Sequence, residues 1–184
     1  MTTDKQTRVA VLLGSTRSGS LNRRIAEHLR DNAPAGVTVD VVEGLDSVPF
    51  YNEELDGETA PAAATALRES VAGADRILAV TPEYNGTMPA VLNNAIDWLS
   101  RPYGQGAIVG KPFAAIGATP TPYGGKWSHE HARHSATIAG AVVVEGIVVD
   151  ESAVEGDPLE NEAAVQRFLG ALDALVAHEV EAAA

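Results

Sequence analysis

Residues Gly14-Ser-Thr-Arg-Ser-Gly-Ser-Leu-Asn22 combine the groups that bind an anion. Ser15, Thr16, Ser18 and Ser20 offer hydroxyl donors, and Arg17 offers a planar, permanently charged fork suited to phosphate. Glycine at 14 and 19 lets the backbone come close to a ligand. The stretch follows an apolar run and opens into a helical pattern, so the free N–H groups and dipole of a helix start add to the cradle. A polar connecting loop with a serine cap is the plainer alternative. No Gly-Lys-Ser/Thr follows, which excludes a Walker A loop, and Gly14 and Gly19 are five apart, which excludes G-x-G-x-x-G. A monophosphate fits better than a pyrophosphate. Arg23 and Arg24 extend a local positive patch in a chain whose formal net charge is −12.

A second candidate loop is Thr81-Pro-Glu-Tyr-Asn-Gly-Thr-Met-Pro89. Pro82 removes a donor and stiffens the exit from a strand. Asn85-Gly86 is a strong turn signal, and Tyr84 offers a flat amphipathic ring. A third loop, Thr119-Pro-Thr-Pro-Tyr-Gly-Gly-Lys126, carries two glycines that permit close backbone approach. The string His129-Glu-His-Ala-Arg-His134 looks metal-like, but Arg133 occupies the i+4 position a zincin helix needs. His131 and His134 are expected to meet solvent or another subunit. Trp98 and Trp127 are expected to pack. Ser15 is not in a G-x-S-x-G elbow, and the chain has no cysteine, so hydrolase, thiol and disulfide chemistry have no footing. No metal ligand and no catalytic side chain is assigned.

Alternating elements must hold these loops. Arg8 to Gly14 is an apolar run ending in glycine, the pattern of a strand buried on both faces. Leu21, Ile25 and Leu29 mark a helix from about Ser20 to Asn32, ended by Pro34 and Gly36. Val37 to Val42 reads as a second strand, Gly44 to Pro61 as a surface loop, and Ala62 to Ala72 as a helix. Arg76 to Thr81 is the third strand. Pro89 suits a first helical turn, before a face of Val91, Leu92, Ala95, Ile96 and Leu99. Phe113 to Ala118 is the fourth strand, Lys126 to Ile138 a helix, and Ala141 to Val149 a fifth strand interrupted by Gly146. Val165, Phe168, Leu169, Leu172, Leu175 and Val176 mark a final amphipathic helix. Strict β-α alternation predicts an α/β fold. It is a doubly wound five-stranded parallel sheet in a three-layer sandwich, with residues 1–184 as a single domain. Such sheets bind ligands beyond the strands' carboxyl ends, where the loops after Leu13, Val80 and Ile116 lie.

The 184 residues are 45% hydrophobic and 21% charged, which is ordinary globular usage. The acidic balance argues against a nucleic-acid partner. No apolar stretch reaches the length of a membrane span, and Met1 to Arg8 lacks a secretory apolar core. A cytoplasmic location is the expectation.

Gly14 to Asn22, taken with Pro82-Glu-Tyr-Asn-Gly-Thr-Met-Pro-Ala-Val-Leu-Asn-Asn-Ala-Ile-Asp-Trp-Leu-Ser100, closely resembles the NADPH-dependent FMN reductase family. Quinone and chromate reductases of flavodoxin-like fold belong to it. The resemblance implies FMN as cofactor and NADPH or NADH as cosubstrate. It implies that Ser15, Arg17, Ser20, Leu21 and Asn22 hold the FMN phosphate. It places Pro82, Glu83, Tyr84, Asn85 and Gly86 along the flavin ring and ribityl chain, with Thr119 as a third-loop contact. Asn93 stands where lysine is common in the family. The implied activity is hydride transfer from nicotinamide to FMN, then two electrons to quinone, free flavin, chromate or a similar small molecule by a ping-pong scheme. A homodimer or homotetramer is implied, with Asp97–Arg101 and Tyr103–Gly110 as contributors. A flavodoxin-type one-electron carrier is the alternative, although flavodoxins carry a Ser/Thr-x-Thr-Gly-x-Thr loop that this chain lacks. A third possibility is an interaction protein that keeps the fold without FMN.

Overall fold

The computed structural model describes residues 6–179. Strands β1 (Thr7–Leu13), β2 (Val37–Val42), β3 (Arg76–Val80) and β4 (Pro112–Thr119) pair in parallel in the order β2-β1-β3-β4. Two short strands, β5 (Val142–Val143) and β6 (Val149–Ser152), both lie parallel to β4 on its outer side. Helices α1 (Leu21–Asp31), α2 (Ala62–Ala72), α3 (Ala90–Leu99), α4 (Lys126–Ile138) and α5 (Glu162–Ala177) cover the two faces.

The side-chain alternation of the strands explains the layers. Val9, Val11 and Leu13 of β1 face Ile25 and Leu29 of α1 and Phe168, Leu172 and Leu175 of α5. Ala10 and Leu12 face the other way, into a cluster with Leu67 and Val71 of α2, Leu92 and Trp98 of α3 and Ala132 of α4. Helices on both sides leave no solvent face for β3 or β4, so their sequences are nearly continuous apolar runs.

The expected fifth strand, Ala141 to Val149, divides in two. Phe113 pairs with Val143 and Ile116 with Val149, so Ala114 and Ala115 of β4 stand opposite residues 144–148. The surplus residues leave the sheet in a turn closed by Ile147 N–H to the Val144 carbonyl. The sheet thus has five strand positions built from six strands, and the chain re-enters pairing as far as Ser152.

Residues 44–61 are more than a surface loop. They form three 3₁₀ turns, and Leu45 and Val48 enter the core. Buried Asn94 accepts from Tyr51 N–H and donates to the Val48 and Pro49 carbonyls, and Trp98 Nε1 also donates to Pro49. Side chains of α3 therefore satisfy backbone groups that would otherwise need water. Trp98 is fully buried, as expected of a packing residue. Pro89 is the N-cap of α3, one residue before the first turn that its sequence position suggests.

The sheet order places the loops. β1 passes to β2 on one side, and β3 returns to the other side of β1. The ends Leu13 and Val80 are register partners, so the loops that leave them diverge from one switch point.

Candidate functional site

Ser15 and Ser20 are buried, whereas residues 16–19 between them are exposed. Ser20 is the N-cap of α1 and accepts from Arg23 N–H, so its hydroxyl proton is free to donate outward. The N–H groups of Leu21 and Asn22, in the first turn of α1, have no hydrogen bond among the described residues. Asn22 is committed differently from the expectation for a ligand contact. Its side chain donates to the Ala118 carbonyl at 2.9 Å and accepts from Ala118 N–H at 3.0 Å, stitching α1 to β4. Only its backbone amide is left to meet an anion. Arg23 forms a bidentate pair with Glu43, and Arg24 pairs with Asp157. Arg17 is exposed and has no carboxylate partner among the described residues. Of the local basic patch, one guanidinium is left for an external anion.

The second loop forms a tight two-residue turn. Tyr84 and Thr87 exchange N–H to carbonyl bonds of 3.0 and 3.1 Å, while Asn85 and Gly86 hold φ of 53° and 72°. Positive φ at both central positions is the geometry that Asn-Gly favours. Tyr84 and Asn85 are exposed and Pro82 is buried. Glu83 was expected beside a ligand, but Oε2 of its side chain accepts from Trp127 and Ser128 N–H, capping the start of α4. The backbone amides of Glu83, Asn85 and Gly86 have no partner among the described residues.

Thr81 joins the loops. It is fully buried, its N–H donates to the Ile116 carbonyl and its hydroxyl to that of Pro82. A Cβ on Gly14 would collide with the Thr81 side chain, and one on Gly117 with the Thr81 carbonyl and Asn22 Oδ1. These glycines serve close packing between strand ends. Thr119 ends β4, buried, with its hydroxyl 2.9 Å from that of Thr121. Gly124 and Gly125 pack against the Asp150 backbone and the His129 ring, so the approach they permit is to the protein itself.

The histidine string does not behave as a unit. His129 is fully buried, His131 Nδ1 lies 2.8 Å from Thr87 Oγ1, and His134 is exposed beside α3. His131 thus meets the second loop rather than solvent alone. Trp127 is about a third exposed and lies against Tyr123, with ring centroids 4.7 Å apart. The Ser128–Pro82 and His129–Thr81 pairings escape detection by motif because the partners sit 46 and 48 residues apart.

Chain segments 14–22 and 82–87 together present a charged fork, free helix amides and an exposed turn at one sheet edge. Residues 7–155 match the family model of NADPH-dependent FMN reductase. The chain is 42% identical over 127 residues to a quinone reductase of Pseudomonas putida, covering 69% of this chain and 68% of that protein. It is 40% identical over 126 residues to a 2-hydroxy-1,4-benzoquinone reductase of Burkholderia sp, covering 68% of each. The solved structure of FerB, a flavoenzyme NAD(P)H:(acceptor) oxidoreductase from Paracoccus denitrificans, superposes with a TM-score of 0.80 at 30% identity, over 92% of this chain and 95% of that one. A flavodoxin of Pseudomonas aeruginosa, 19% identical with a TM-score of 0.58, shares the fold. With its flavodoxin-like α/β architecture and its switch-point loops, the chain belongs to the NADPH-dependent FMN reductase family.

Proposed function

We propose that this chain is an NAD(P)H-dependent FMN reductase that holds FMN across residues 14–22 and 82–86 and reduces quinones. The unpaired Arg17 beside the free first-turn amides of α1 carries the placement. These groups suit a phosphate, with Ser15 and Ser20 hydroxyls as neutral donors. The amides of Glu83, Asn85 and Gly86 and the exposed Tyr84 suit a flat, polar-edged ring. Thr119, at the end of β4, is the third-loop candidate contact. FMN bound there would supply two-electron redox chemistry between a nicotinamide and an acceptor. The protein's task is to hold the phosphate, align the ring and leave one ring face open. Nicotinamide and acceptor then take turns on that face, in ping-pong fashion. Anaerobic mixing of the FMN-loaded chain with NADPH or NADH tests this. Flavin absorbance should bleach within seconds and return on adding a quinone. Persistent yellow colour with both nucleotides would favour the one-electron carrier.

Supporting a homo-oligomer, Tyr103 and Ile138 are 84% and 70% exposed. With Ile96, Arg101 and His134 they line a cavity of about 480 Å³ along α3 and α4. Exposed apolar groups of this kind mark association faces. Ile138→Glu should convert a dimer to monomer in light scattering. No helix of the described residues is long and apolar enough to cross a membrane.

A further inference from the structure

His129 is a buried polar side chain beneath the second loop, with no part in the function proposed so far. Both of its ring nitrogens face oxygen. Nδ1 lies 2.5 Å from Asp150 Oδ1, and Nε2 lies 3.1 Å from the Thr81 carbonyl. A carbonyl only accepts, so Nε2 carries a proton. Nδ1 and Asp150 Oδ1 share a second proton, on the ring when the carboxyl is ionised and on the carboxyl when it is not. Both ring nitrogens thus have a hydrogen-bond partner, as a buried polar ring requires.

The surroundings are built around this ring. A Cβ on Gly125 would stand 3.0 Å from His129 Cε1 and 3.1 Å from Nε2, so the backbone passes directly over it. Successive residues of α4 also grip successive residues of the second loop. Trp127 and Ser128 N–H donate to the Glu83 carboxylate, Ser128 Oγ donates to the Pro82 carbonyl at 2.7 Å, and His129 Nε2 reaches the Thr81 carbonyl. Through Asp150 the same ring anchors to β6.

We propose that His129 is a positioning residue whose buried ring, held by Asp150, fixes the Thr81 carbonyl and so the course of residues 82–86 against the flavin. The proposal rests on the placement of FMN along that loop. Thr81 is the last residue held by the sheet before the turn, so a donor on its carbonyl sets the direction in which the turn leaves.

Nitrogen-15 NMR of the full chain with labelled histidine reads the ring directly. The nitrogen facing the Thr81 carbonyl, Nε2, should carry a proton, with and without FMN. An unprotonated Nε2 would overturn the bond to Thr81. Amide hydrogen exchange at Tyr84 and Thr87, and FMN affinity from fluorescence quenching, then read positioning in His129→Leu and His129→Gln. The leucine variant should speed exchange at both amides and raise the FMN Kd by about tenfold, the scale of one lost hydrogen bond. Amides of α5 should keep their wild-type rates. The glutamine variant, which keeps a side-chain donor for Thr81, should recover part of both effects. A leucine variant that folds with unchanged exchange and Kd would refute the role. A wild-type chain that binds no FMN would instead sink the placement of the flavin, while the NMR and exchange results would still decide what His129 does.

Discussion

Arg17 has no carboxylate within reach among the described residues, while its neighbours Arg23 and Arg24 are paired with Glu43 and Asp157. In an acidic chain a guanidinium left unpaired keeps its full attraction for a ligand phosphate. Arg17→Ala should therefore weaken FMN binding by about 1.5–3 kcal/mol, the range for hydrogen bonds to charged groups. Quenching of flavin fluorescence measures it, and an unchanged Kd would remove Arg17 from the phosphate site. At Gly117 the constraint is steric. A methyl group there meets the Thr81 carbonyl and Asn22 Oδ1, both fixed by hydrogen bonds. Gly117→Ala should cost about 1–3 kcal/mol in urea unfolding, as overpacking does where neighbours cannot move.

The start of α4 shows how one element completes another. Its N-cap is Gly125, at φ 96°, which has no side chain to accept the first free amides. Glu83 supplies the missing acceptor from a different loop, to Trp127 and Ser128 N–H. Its carboxylate also lies at the positive end of the helix dipole. Glu83→Ala should lose about 1 kcal/mol of stability, the usual worth of a cap, and also loosen the 82–86 turn. Glu83→Gln keeps an acceptor oxygen and should lose less. Equal stability of wild type and Glu83→Ala in denaturant titrations would show that water replaces the cap.

Across the whole molecule, the 44–61 segment is tied to α2 and α3 by one ion pair. Arg68 donates two hydrogen bonds to Asp56 while lying over Trp98, and those bonds hold the Asp56 carboxyl at about 2, below its ordinary 3.8. The Gly57 amide and Tyr51 hydroxyl add to this, against the opposing push of burial. Because the folded value lies below the unfolded one, ionised Asp56 stabilises the fold. That contribution is complete above pH about 4 and fades as pH falls through about 2. Asp56→Asn should thus lose about 2 kcal/mol at neutral pH, and its stability should fall less steeply between pH 4 and 2 than the wild type's. Parallel urea-midpoint profiles of the two proteins would contradict it.

Local sequence patterns located the five helices and the first four strands, because helix and strand patterns are written by residues a few positions apart. Val37–Val42, Ala62–Ala72 and Lys126–Ile138 have the boundaries their sequences suggest. The free first-turn amides of α1 and the Asn85-Gly86 turn were equally legible, since helix starts and positive φ are local properties. Only the tertiary structure decided what each side chain in those loops does. Asn22 bonds to Ala118, 96 residues away, Glu83 caps α4, and His129 pairs with Asp150 because the divided fifth strand re-enters the sheet beyond Val149. Those partners are set by strand order and by where a bulge returns the chain to register. No short-range pattern encodes either, and the buried donors and acceptors are satisfied only once the sheet has closed.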